Sequence, residues 1–175
     1  MAERQIGNKV LRLVKGDITD MEVEAFMFDI TEDVKLGSGF GGAIQQRGGI
    51  VIQKQLDEIG GCPTGEAIVT EAGILKAEWI IHANGPKFRE EDEEGKLRQT
   101  VESVLARAEE KGVKRLAFPP IGTGLYQVPL DLCTRVMVET ISQHLANGST
   151  LDEVLIVAPD SREFNPFKAK IEEGA

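Results

Sequence analysis

Two glycine-rich segments hold the residues best suited to chemistry. The first, Leu36-Gly37-Ser38-Gly39-Phe40-Gly41-Gly42-Ala43-Ile44, runs straight into an apolar helical pattern. Glycine lets backbone approach a ligand closely, and the start of a helix offers unpaired N–H groups at the positive end of a dipole. That combination suits a phosphate. The second, Ile121-Gly122-Thr123-Gly124-Leu125-Tyr126, follows a strand-like run. Each has a plainer reading, as a surface loop and as a tight strand-to-helix turn. Two such turns in a chain of 175 residues suggest a diphosphate held by main chain rather than by basic side chains. Thr123 would add a hydroxyl donor, and Tyr126 would either close the site or pack.

A third segment, Gly16-Asp17-Ile18-Thr19, follows the first strand-like run and has two readings. Asp17 or Thr19 caps a short turn, or Asp17 accepts from an exocyclic amine such as that of adenine while the Ile18 N–H serves a ring nitrogen. Gly37–Gly42 also satisfies G-x-G-x-x-G, but a polar stretch, Asp29–Lys35, separates it from the preceding strand. The acids about 20 residues on, Asp57 and Glu58, lie in a helical pattern, which argues against a dinucleotide dehydrogenase. His82 ends an apolar strand and reads as a buried, hydrogen-bonded residue; His144 sits late in a helix. Neither has the spacing of a zinc site, and no metal or cofactor is implied. Cys62 and Cys133 have no local partner that would make either a nucleophile.

The formal net charge of −9 disfavours nucleic acid, which needs clustered Lys and Arg. An anion site here must work through local N–H groups. A hydrophobic share of 41% and a charged share of 28% suit a soluble globular protein. No apolar run is long enough to span a bilayer, and the N-terminus lacks the plan of a signal peptide. Two distant cysteines fit free thiols in a reducing compartment, so a cytoplasmic location is expected.

The elements that must position these residues alternate. Strands are expected at Lys9–Val14, Val23–Phe28, Glu66–Thr70, Trp79–Ala83, Val113–Phe118 and Leu151–Ala158. Helices are expected over Gly42–Glu58, which Gly48-Gly49 should weaken or break, over Glu94–Lys111, and over Leu130–Leu145. A last short helix opens at the capping box Asp160-Ser161-Arg162-Glu163. Alternation predicts an α/β fold, one domain over 1–175, with a mostly parallel sheet. The close pair Glu66–Thr70 and Trp79–Ala83 reads as an antiparallel hairpin, which makes the sheet mixed.

Val14-Lys15-Gly16-Asp17-Ile18-Thr19, Val23-Glu24-Ala25, Gly37–Ile44, Pro63-Thr64-Gly65-Glu66-Ala67, Ile80-Ile81-His82 and Ala117-Phe118-Pro119 with Gly122–Tyr126 together resemble the macrodomain family. The resemblance covers nearly the whole chain. It implies a three-layer α/β/α sandwich and a partner that is ADP-ribose or an ADP-ribosylated protein. It also implies roles: Asp17 and Ile18 at the adenine; Gly37, Ser38, Gly39 and Phe40 around the diphosphate and distal ribose; and Gly122, Thr123, Gly124, Leu125 and Tyr126 as the second phosphate loop. Pro159 or Asp160, with Phe164, would cover the adenine face. Many active members carry Asn-Ala-Ala-Asn where this chain reads Phe28-Asp29-Ile30-Thr31. Thr31 stands at the asparagine that holds the distal ribose, Gly41 at a frequent acid, and Gln45 at a frequent histidine. The resulting expectation is an ADP-ribose binder with weak or no hydrolysis. The alternatives are an ADP-ribosyl or O-acetyl-ADP-ribose hydrolase, with Asp29 as its candidate catalytic acid, a module for RNA or poly-ADP-ribose, and a scaffold for protein contacts.

Overall fold

The computed structural model describes residues 1–37, 39–123 and 127–173. Seven strands form one sheet: β1 (Ala2–Ile6), β2 (Lys9–Lys15), β3 (Ala25–Asp29), β4 (Ala67–Glu71), β5 (Trp79–Ala83), β6 (Arg115–Phe118) and β7 (Glu153–Ala158), in the order β1-β2-β7-β6-β3-β5-β4. The five inner strands run parallel, and the edge strands β1 and β4 are antiparallel to their neighbours. Helices α1 (Gly39–Gly48) and α2 (Val51–Ile59) cover one face, and α3 (Glu93–Glu110), α4 (Leu130–Ala146) and α5 (Ser161–Glu173) cover the other. The fold is thus a three-layer α/β/α sandwich on a mixed sheet.

Alternation along each inner strand feeds two cores, as a sheet covered on both faces requires. On β3, Ala25 and Met27 join Leu97, Val101, Val104, Leu105 and Ala108 of α3 and Val136, Ile141 and Leu145 of α4. Phe26 turns the other way, to Ile44, Ile52 and Leu56 of α1 and α2. Phe28 continues the Phe26 side and packs, partly buried, against that second core. Among the described residues, no helix is long and apolar enough to cross a membrane.

Two elements differ from the expectation. Ala2–Ile6 is a strand, paired in register with β2 from Ala2↔Leu13 to Ile6↔Lys9. Its signal was the two-residue turn Gly7-Asn8, with Gly7 at φ 62°. The expected helix over Gly42–Glu58 begins at Gly39 and divides at Gly49, whose φ is 95°. The division lets the β4–β5 hairpin dock, with the Ile74 N–H donating to the Gly48 carbonyl at 3.1 Å. A Cβ at Gly73 would lie 1.8 Å from that carbonyl oxygen. Gly73→Ala should therefore cost more than ~2 kcal/mol in urea melts, from the left-handed backbone plus displacement of backbone. Gly7→Ala, at a similar φ of 62° but with nothing within 4 Å, should cost only ~1 kcal/mol. Equal costs would show that the close approach is unimportant.

Candidate functional site

The inner strands end together at Lys15, Asp29, Ala83, Phe118 and Ala158. Ligands of open α/β sheets bind beyond such carboxyl ends. The segments leaving this rim include Gly16–Ile18, Ile30–Gly37, Pro119–Thr123 and Pro159-Asp160, so the predicted site residues that can be described gather on one edge. A wide, open groove lies at the opposite rim, lined by Glu22, Val23, Glu24, Lys76, Glu78 and Arg115. Three carboxylates there, one of them capping the Lys114 and Arg115 N–H groups, make it unsuited to an anion.

Asp17 caps a single 3-10 turn, Ile18–Asp20. Its Oδ1 accepts from the Thr19 N–H at 2.9 Å and the Thr19 hydroxyl at 2.7 Å. Its Oδ2 accepts from Arg47 Nη1 at 2.9 Å. The Thr19 hydroxyl and the Arg47 guanidinium hold this carboxyl below the usual carboxylate range. The turn reading of Asp17 is correct, and the same carboxylate also faces Arg47. Ile18 is buried against the α1–α2 core.

Asp29 closes β3 beneath the second glycine turn. Its Oδ2 accepts from the Gly122 N–H at 3.2 Å. Its Oδ1 is sealed from solvent and has no hydrogen-bond partner among the described residues. Burial pushes its pKa up to about 6, against the lowering effect of the Gly122 bond. The buried thiol of Cys133, close enough to feel Asp29 and Glu163, is pushed upward and stays inert. Gly122 takes φ 71° and its carbonyl accepts from Val128, at 2.9 Å. The Thr123 hydroxyl donates to Glu163 of α5. The Glu163 N–H donates to Asp160 Oδ1 at 3.0 Å. Asp160 thus caps α5 as the sequence implies, while the Glu163 carboxylate turns to Thr123. Pro159 and Asp160 are exposed. Phe164 packs partly buried on the α3–α5 core, with the Lys15 ammonium 5.6 Å from its ring centre.

The first loop is held against its own backbone preference. Val34 has φ 54°, rare for a β-branched residue. The side chain of Gln53 clamps it, donating to the Val34 carbonyl at 3.1 Å and accepting from the Leu36 N–H at 3.0 Å. Lys35 pairs with Asp57 at 2.8 Å. The Thr31 hydroxyl donates to Asp33, and the Thr31 carbonyl accepts from the Val34 N–H at 3.0 Å. Gly37 has φ 65°. Gly39 and Phe40 supply the first backbone turn of α1. A Cβ at Gly41 would lie 1.9 Å from the Leu36 carbonyl oxygen, so this loop path excludes any side chain there. Ser38, Gly124, Leu125 and Tyr126 lie outside the described residues.

His82 is fully buried on β5, directly across from Phe28 on β3. Thr70 donates its hydroxyl hydrogen to the Glu71 carbonyl at 3.0 Å and so accepts from His82 Nε2–H at 2.9 Å. Burial pushes the His82 pKa down to about 3, which keeps the ring neutral. Arg47, Gln53 and the Glu163–Thr123 bond were missed from sequence. Only Glu163 left a trace there, as the last residue of the capping box.

The family model for the Macro domain matches residues 30–137. The chain belongs to the macrodomain family. A macro domain-containing protein of Caldanaerobacter subterraneus subsp. tengcongensis is 37% identical over 169 residues, covering 93% of this chain and 96% of that protein. A protein of Pantoea vagans named O-acetyl-ADP-ribose deacetylase 1 is 31% identical over 165 residues, covering 91% of this chain and 96% of its own. The macrodomain of Oceanobacillus iheyensis has been solved with ADP and, as a variant, with ADPR. Both superpose with a TM-score of 0.92 at 26% identity, covering 98% of this chain and 94% and 96% of theirs.

Within this macrodomain, Asp29 sets a pH dependence whose sign is fixed. An unfolded aspartate titrates near ~4, and the folded one at about 6. Between those values the folded chain keeps a proton that the unfolded chain has lost. Stability therefore falls as pH rises through this window, by up to about 3 kcal/mol. Asp29→Asn keeps an acceptor for Gly122 and carries no charge. It should melt several degrees above the parent at pH 7.5, with the gap closing near pH 4. A constant gap in calorimetry across that range would refute the buried charge.

Proposed function

We propose that this macrodomain binds ADP-ribose or a close derivative. The observation that carries the reading is the meeting of Asp17, the glycine-led start of α1 and the Gly122 turn on one rim of parallel strand ends. Adenine donates its amine to Asp17, with the Ile18 N–H on a ring nitrogen. The diphosphate lies between Gly37–Phe40 and Gly122–Tyr126, gripped by N–H groups other than that of Gly122, which Asp29 holds. The distal ribose extends toward Thr31 and Phe40. Pro159, Asp160 and Phe164 border the base. The ligands of the structural relatives, ADP and ADPR, support this choice. Basic side chains are not needed, which accords with a net charge of −9. The acidic balance also argues against RNA as ligand, whose binding would collapse with salt.

A hydrogen bond to a charged group is typically worth ~1.5–3 kcal/mol. Asp17→Ala should therefore weaken ADP-ribose binding tenfold or more in titration calorimetry, and Gly124→Glu should block the close approach of the second loop. Parent-like affinity in both variants would overturn the assignment.

Asp29 favours a second reading, turnover of O-acetyl-ADP-ribose or of an ADP-ribosyl group. A carboxylate that titrates near 6 has the basicity of a general base near neutral pH. Its unbonded oxygen is sealed from solvent, so this reading also requires the rim to open far enough to admit one water. The name of the Pantoea vagans relative points the same way. If Asp29 takes a proton from water, Asp29→Asn should lower turnover at least 100-fold while ADP-ribose still binds. Equal turnover would remove Asp29 from the chemistry, and no turnover by the parent would leave a binder.

A further inference from the structure

We propose that Arg47 is a specificity-determining residue of the base end: it pins Asp17 so that the carboxylate offers one remaining acceptor direction, fit for an exocyclic amine and unfit for a carbonyl. The inference rests on the ADP-ribose reading and goes beyond it, since it concerns which bases the site admits.

A carboxylate oxygen has two good acceptor directions. Both directions of Asp17 Oδ1 are filled by Thr19, through its N–H at 2.9 Å and its hydroxyl at 2.7 Å. One direction of Oδ2 is filled by Arg47 Nη1 at 2.9 Å. The same nitrogen reaches the Thr19 hydroxyl oxygen at 2.7 Å, so both Nη1 hydrogens are engaged. Three groups thus lock one carboxylate. Its other charged neighbour in the turn, Asp20, adds to the field on Arg47.

The lock is built by the fold. Arg47 occupies the last turn of α1, where a cation suits the helix dipole. Gly48 and Gly49 end that helix, and the Gly48 carbonyl is held by Ile74 of the hairpin. The arginine side chain is about half exposed, at 52%, and Asp17 at 36%. An exposed pair of this kind adds little to stability. Its consequence is orientation and charge: the pinned carboxylate stays ionised and cannot turn a protonated face toward a ligand. Adenine, with an N–H at its six position, completes the last acceptor direction. Hypoxanthine sets a carbonyl oxygen against it and leaves both groups unpaired. Without Arg47, Oδ2 is free to hydrate and reorient, and the penalty on a carbonyl shrinks.

Titration of the full chain with ADP-ribose and with its hypoxanthine analogue, inosine diphosphate ribose, tests this. The parent should prefer the adenine ligand at least 100-fold. Arg47→Ala should weaken ADP-ribose about tenfold and narrow the preference to tenfold or less, with the melting temperature within a degree of the parent. Arg47→Lys, which keeps the charge but not the paired geometry, should fall between. An Arg47→Ala protein with the parent's preference between the two ligands overturns the inference and leaves the ADP-ribose reading intact. A parent that binds neither ligand overturns that reading, and the inference with it.

Discussion

One hydrogen bond joins the middle of the sheet to the rim above it. Asp29 ends β3, and the turn after β6 places the Gly122 N–H against its carboxylate. The arrangement is costly, because the second oxygen is buried with no partner among the described residues. Burial without pairing drives the pKa toward neutrality, so near pH 6 the group is split between two states. In one, a carboxylate holds the turn by a charge-assisted bond; in the other, a neutral acid holds it more weakly. The strength of the bond that holds Gly122 is thus tied to a proton. In the ADP-ribose reading, a negative charge beneath the diphosphate opposes it, and a bound ligand would favour the neutral acid.

Among the described residues, the polar side chains named at this rim are largely engaged by one another. Thr19 and Arg47 fill three of the four acceptor directions of Asp17. Thr31 gives its hydroxyl to Asp33, Thr123 gives its own to Glu163, and Asp160 caps the helix that carries Glu163. These side chains cannot swing freely to meet a ligand. A site of this kind has already met the entropic cost of ordering its groups, which favours affinity. It also narrows what can be bound, because a ligand must fit the few directions left open.

The pattern of strands and helices was legible in the chain because period-two and 3.6-residue spacing report burial directly. Leu97, Val101, Val104, Leu105 and Ala108 lie on one buried stripe of α3 as their spacing requires. The missed first strand has half-buried alternation and charged residues, Glu3 and Arg4, so its apolar signal is faint; only its turn residues spoke for it. At the site, the residues that carry backbone conformation were readable, since glycine at Gly37 and Gly122 serves a positive φ. The partnerships were not. Arg47 meets Asp17 across 30 positions, and Gly122 meets Asp29 across 93. No local pattern encodes such a contact; only the sheet order brings the partners together.

The residues of the first loop constrain one another as a coupled set. Gly41 lacks a side chain because the Leu36 carbonyl occupies the space a Cβ would need. Leu36 lies there because Gln53 holds its N–H while also holding the carbonyl of Val34. Val34 in turn adopts a left-handed backbone that costs on the order of 1–2 kcal/mol for a β-branched residue. Strain of that size persists only where surrounding contacts over-determine it, and here the Gln53 clamp, the Thr31 carbonyl and the Lys35–Asp57 pair do so. A loop without these contacts would relax Val34 into an extended conformation and leave room for a side chain at position 41. Its tight fixation instead keeps Leu36 packed against the first turn of α1, so that the Leu36 backbone rather than a side chain at position 41 fills that space.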